Sequence, residues 1–228
     1  MSSKSFYEHM RGNTERLWQA IFSHPFVSGI GDGSLSRERY EFFLKQDYLY
    51  LIDFSRVFAL GTTKAKHLQD MTYFADLLQG TLKMEMELHR RTCAAFGIAL
   101  EDLEKTEPAM ITSAYTNLLV RTCYEGSFSD ILAVLLPCGS GYIEIGQRLK
   151  TQGLPENKFY QDWINTYTSK EFVEVAEWLE GRMNETAAVS CEEDRIRWHR
   201  LYLASARFEY LFFDMSWKKE LWPGNFPV

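Results

Sequence analysis

Apolar residues in this chain recur at helical spacing almost from end to end, and nowhere do they alternate long enough to build a strand. Phe6, Met10, Leu17, Ile21 and Phe22 mark a first helix. His24-Pro25-Phe26 ends it, because a proline biases the residue before it away from helix. Gly29-Ile30-Gly31-Asp32-Gly33 reads as a turn-rich connection, and Ser36 as the cap of a helix opening with Arg37-Glu38. That helix runs to about Lys66 through Tyr40, Phe43, Leu44, Asp47, Tyr48, Leu51 and Phe54. Others are predicted from Phe74 to Phe96, closed by Gly97, and from Pro108 to about Tyr124. Phe128 to Leu149 follows with an interruption at Pro137, then Phe159 to Tyr167, Glu171 to Met183 and Cys191 to Trp217. Roughly eight helices with short connections and no repeat predict a single all-α bundle over residues 1–228. The apolar tail Leu221-Trp222-Pro223-Gly224-Asn225-Phe226-Pro227 is expected to pack on the body or on a partner subunit.

Charge narrows the partners. A net charge of −6 leaves no electrostatic footprint for nucleic acid or for an anionic membrane. The longest apolar run, Ile131 to Leu136, is too short to span a bilayer. The start, Met1-Ser2-Ser3-Lys4, opens no secretory signal, and the four cysteines are far apart without a paired spacing. A cytoplasmic protein with reduced thiols is the expectation. Aromatic residues reach 15%, which first means a bulky core and second a pocket for a flat ring.

Three positions are candidates for chemistry. Cys138 follows a proline that removes a backbone donor, precedes Gly139 and Gly141, and stands one helical turn before Tyr142. Such a thiol is either a nucleophile or an inert core residue. Asp47 lies on an otherwise greasy face and needs a partner, either a ligand's amino group or a cation such as Arg56. Glu209 is embedded among Ala206, Phe208, Leu211 and Phe212, where a carboxyl group can work as a general acid or base or serve in a structural ion pair. Glu85 and His89 are spaced i, i+4 once, unlike the Glu-x-x-His pairs of di-iron bundles, so a helical salt bridge or core contact is the simpler role. His24, before Pro25, is more simply a backbone cap than a haem ligand. No phosphate loop, zinc spacing or Ser/His/Asp order appears.

Several segments, in order, resemble the thiaminase II (TenA) family. They are His24-Pro25-Phe26-Val27, Asp32-Gly33-Ser34-Leu35, Gln46 through Leu51, Glu85-x-x-x-His89, Leu136-Pro137-Cys138 through Gly146, Trp163-Ile164-x-x-Tyr167 and Phe208-Glu209 through Trp217. The resemblance covers about His24 to Trp217, in the cysteine-containing branch. It implies the haem-oxygenase-like all-α fold, a homotetramer, and no metal or haem. It also implies an aminopyrimidine aminohydrolase of thiamine salvage. Such an enzyme converts 4-amino-5-aminomethyl-2-methylpyrimidine to its hydroxymethyl counterpart and cleaves thiamine to the same pyrimidine plus the thiazole.

Carried over by residue, Cys138 would be the nucleophile, Asp47 would bind the pyrimidine amino group and Glu209 would face a ring nitrogen. Tyr115, Tyr142 and Tyr167 would be pocket phenols, with Tyr50 and Phe212 contacting the ring. One departure stands out: where members often carry a bulky residue, commonly tryptophan, this chain has Gly139-Ser140-Gly141, which is expected to enlarge or loosen the pocket. The rival readings are a haem- or di-metal oxidase on the same fold and a non-catalytic pyrimidine binder.

Overall fold

The computed structural model describes residues 4–224, so Asn225, Phe226 and Pro227 of the predicted tail lie outside the described residues. Among them there are twelve α-helices and one π-helical turn, with no strand. The helices are α1 (Phe6–Asn13), α2 (Glu15–Phe22), α3 (Pro25–Asp32), α4 (Arg37–Lys64), α5 (Leu68–Gly80) and, after a π turn over Thr81–Glu85, α6 (Met86–Ala95). Then come α7 (Leu100–Glu104), α8 (Met110–Glu125), α9 (Phe128–Gln152), α10 (Lys158–Tyr167), α11 (Lys170–Ala188) and α12 (Glu192–Lys218).

Three predicted features differ. The glycines before Gly33 form no turn but the body of α3, opened by Pro25 at its first position and by His24 Nδ1 accepting from the Phe26 amide at 3.2 Å. They are there for close approach: a Cβ on Gly29 would meet the Leu35 backbone at 3.0 Å, and one on Gly31 would meet Leu149 Cδ2 at 2.6 Å. The first predicted helix breaks at Thr14, whose hydroxyl donates to the carbonyls of Met10 and Arg11 at 3.1 and 3.0 Å. The predicted interruption at Pro137 is absent, since α9 is helical straight through it. Proline still withholds a donor there, and Ser205 Oγ donates to the Val134 carbonyl in the same turn at 2.7 Å.

Backbone contacts divide the chain into two compact units, Met1–Leu35 with Ser129–Tyr210, and Ser36–Phe128 with Leu211–Val228. In the first, α9 is the core helix. It is long and apolar enough to cross a membrane, yet 72% of its apolar window is buried in the protein. Its polar edge is held by Arg11, which donates to both oxygens of Glu144 at 2.7 Å, and by Arg197 donating to buried Asp130 at 2.8 Å.

In the second unit, α4 is the spine. Gly61 lets the Phe74 ring of α5 lie directly on its backbone. Gln46 pins the start of α8: its Oε1 accepts from the Ala109 amide and from Thr112 Oγ1 at 2.9 and 2.6 Å, and its Nε2 donates to the Glu107 carbonyl at 3.0 Å. Arg39 donates to the Trp217 carbonyl at 2.8 Å and lies over that indole. The described part of the tail docks on this unit, with the Met110 amide donating to the Leu221 carbonyl at 2.7 Å and Trp222 Nε1 to the Pro108 carbonyl at 3.2 Å.

Candidate active site

In the first unit every residue of α9 from Ile131 to Ile143 is buried except Cys138 and Gly139. The Cys138 thiol therefore sits at the one breach in a closed wall. Cys123 is the contrast, fully buried, with burial pushing its thiol up to about 12, so it is no nucleophile. One turn past Cys138, the Tyr142 ring lies 4.7 Å from Tyr167 and 5.9 Å from Trp163. Those two, one turn apart on α10, are 4.6 Å from each other.

Helix α10 is held in place to present them. Asn157 caps it at 3.0 Å, Tyr160 donates its hydroxyl to the Leu35 carbonyl at 2.8 Å, and Gly146 leaves room for Tyr167, whose Cβ would meet an added methyl at 3.3 Å. Trp163 was not among the predicted site residues, although its i, i+4 spacing to Tyr167 was visible. Glu209 lies on α12 with only 2% of its surface exposed.

The Gly139-Ser140-Gly141 segment does not leave a hole. A Cβ on Gly141 would overlap the six-membered ring of Trp18 outright, and one on Gly139 would meet Leu179 Cδ1 at 3.3 Å. The indole of α2 fills the volume that a bulky residue on α9 would take, and its Nε1 donates to the Tyr202 hydroxyl at 3.1 Å. On this side the opening expected beside Gly141 is filled by the Trp18 indole.

The second unit holds the other predicted residues. Tyr50, on α4, is 5.2 Å from Tyr115 of α8 and 5.9 Å from Phe212 at the end of α12, and all three are buried. Asp47, one turn earlier on α4, keeps about a fifth of its side chain exposed. Arg56 is not its partner, being paired with Asp53. The cation beside Asp47 is His89, with Nε2 at 3.3 Å from Oδ2, close enough for an ion pair but off the line of a hydrogen bond. Burial opposes charge on this imidazole, yet Asp47 and Cys93 outweigh it and push its pKa up to about 10. Burial, reinforced by the Asp47 charge, pushes the Glu85 carboxyl up to about 7. His89 thus makes its ion pair across to α4, in place of the Glu85–His89 salt bridge along one helix that the spacing suggested.

Among the described residues no group of three or more histidine, cysteine or acidic side chains is arranged to hold a metal ion. A cleft of about 750 Å³ among α1, α11 and α12 is lined by residues such as His9, Arg195 and His199 and contains none of the predicted site residues.

These features define an all-α protein of the haem-oxygenase-like fold: heme oxygenase 2 from Chlamydomonas reinhardtii superposes over 92% of this chain and 97% of its own with a TM-score of 0.66, at 14% identity. A TenA homologue from P. horikoshii OT3 superposes more closely, over 94% and 99% of the two chains, with a TM-score of 0.88 at 28% identity. The profile of the TENA/THI-4/PQQC family matches residues 11–219, and the chain belongs to that family. An aminopyrimidine aminohydrolase from Halalkalibacterium halodurans is 42% identical over 97% of this chain and 99% of its own length.

Proposed function

We propose that this protein is an aminopyrimidine aminohydrolase of thiamine salvage, a hydrolase that replaces the amine of 4-amino-5-aminomethyl-2-methylpyrimidine with a hydroxyl and releases ammonia. Full-length similarity to a protein named for that activity supports the reaction class. The geometric observation that carries it is the placement of Cys138 at the single gap in the buried wall of α9. A neutral pyrimidine accepts a nucleophile poorly, so Glu209 in this reading lends a proton to a ring nitrogen. The Cys138 sulfur then bonds to a ring carbon. The amine leaves as ammonia with the proton given up by the thiol, leaving an exocyclic methylene. Water adds to that carbon, the departing sulfur takes back the proton that the water loses, and the ring proton returns to Glu209. Asp47 accepts from the substrate's 4-amino group, and Tyr50, Tyr115, Tyr142, Tyr167 and Phe212 supply ring faces and phenols that fix orientation.

Thiamine, whose leaving group is the thiazole, would be cleaved by the same steps. No cofactor enters them. The reading extends to a cytoplasmic homotetramer, which rests on the family resemblance alone. Hydrolysis of the aminomethylpyrimidine, followed as ammonia release, tests the proposal: turnover by the wild type is expected, and none with either pyrimidine or thiamine would end it.

A further inference from the structure

Behind Asp47 lies a group of side chains that the steps above do not use. His89 Nε2 faces Asp47 Oδ2 at 3.3 Å, and its other ring nitrogen meets Cys93 Sγ at 3.5 Å, one turn along α6. The imidazole is thus held at both ends. Glu85 precedes His89 by one turn and closes the π turn, in which the Met86 amide reaches back five residues to the Thr81 carbonyl. π turns cost hydrogen-bond geometry and are frequent at functional sites. The titratable groups that reach this cluster are Asp47 and Tyr48 from α4, Cys93 from α6, and Glu85 and His89 themselves. The basic residues near it on the same helices turn elsewhere, Arg56 to Asp53 and Arg91 to Glu87.

We propose that His89 and, one turn before it at the end of the π turn, Glu85 are positioning residues for Asp47, with the imidazole, held by Cys93 at its other nitrogen, fixing the orientation of the Asp47 carboxyl group. The inference rests on the functional reading above and deepens it. A carboxylate held in this form takes a hydrogen bond from an amino group and repels a carbonyl oxygen. The cluster therefore selects 4-aminopyrimidines over 4-oxopyrimidines. Burial, reinforced by the Asp47 charge, raises the Glu85 carboxyl to about 7, so Glu85 passes from acid to carboxylate within the pH range in which the cluster is probed.

The test is calorimetric binding of 4-amino-5-hydroxymethyl-2-methylpyrimidine and its 4-oxo analogue from pH 5.5 to 8.5, alongside ammonia-release kinetics, for wild type, His89→Gln and Glu85→Gln. His89→Gln is expected to bind the amino compound about tenfold more weakly, because Asp47 is no longer held in line with the ligand's amino group. Its affinity should fall further toward acid pH, and the defect should appear in KM more than in kcat. Its preference for the amino over the oxo ring should shrink. Glu85→Gln should remove the change in wild-type affinity near neutral pH. If His89→Gln does not fold, the Glu85→Gln profile decides alone. Unaltered pH profiles and unaltered ring preference in the folded variants overturn the positioning role. Failure of the wild type to bind or turn over either pyrimidine would instead overturn the functional reading, so the two failures are distinct.

Discussion

Helix α9 and the α5–π–α6 stretch each carry a residue of the candidate site beside a point where helical geometry is at risk, and the two respond in opposite ways. Helix α9 contains a proline, the strongest breaker available, yet stays α-helical: Pro137 takes the helical donor from the Ala133 carbonyl, buried side chains wall the turn, and Ser205 adds a hydrogen bond to the next carbonyl, that of Val134. The other stretch contains no proline, yet winds as a π turn over Thr81–Glu85, one helical turn before the imidazole that faces Asp47. Backbone irregularity in this protein thus follows what side chains have to reach more than which breakers the segment contains.

The comparison can be broken most forcefully at α9. Cys138→Ser should lower kcat/KM for the aminomethylpyrimidine on the order of 10³-fold while leaving the fold intact; comparable turnover would strip the proline turn of its function. Next in size is Gly141→Ala. Its methyl meets Trp18, and thermal unfolding should show a loss of about 1–3 kcal/mol, the usual cost of forcing a packed core apart. An unchanged melting temperature would mean that the indole moves freely.

On the π side, pH is the probe. His89 holds its proton to about 10, against 6.5 for a free imidazole, so the folded state binds it more tightly than the unfolded chain does. That stabilisation is complete below 6.5 and disappears as pH rises through about 10. Glu85 acts in the same direction but earlier: its raised pKa costs stability as pH climbs from 4.5 to about 7 and adds nothing further above that. The melting temperature should fall between pH 6.5 and 10, and less steeply in His89→Gln; parallel curves would count against the ion pair. Smallest is Ser205→Ala, expected to cost about 1 kcal/mol for one buried hydrogen bond, with near-normal activity. A much larger loss would show that this donor holds α9 straight almost alone.

Periodicity located the long helices well, because α4, α8, α9 and α12 each keep one apolar face along several turns. It missed α7, only five residues long, and α3, whose glycines look like turn formers but serve close packing against Leu35 and Leu149. The aromatic pair Trp163 and Tyr167 was visible as neighbours on one helix. The relation of Trp18 to Gly141 was not, since more than a hundred residues separate them and only tertiary structure joins them. The same holds for Asp47 and His89: the spacing to Glu85 was readable along the chain, whereas the partner on α4 was not.

The indole of Trp18 lying on the bare backbone of Gly141 has an evolutionary consequence. Positions 18 and 141 share one parcel of space, so neither can change size without the other yielding. A lineage moving its bulk from α2 to α9, or back, would pass through an overfilled or a hollow intermediate. Substitutions at the two sites should therefore occur as matched pairs, with a large residue at one and a small residue at the other.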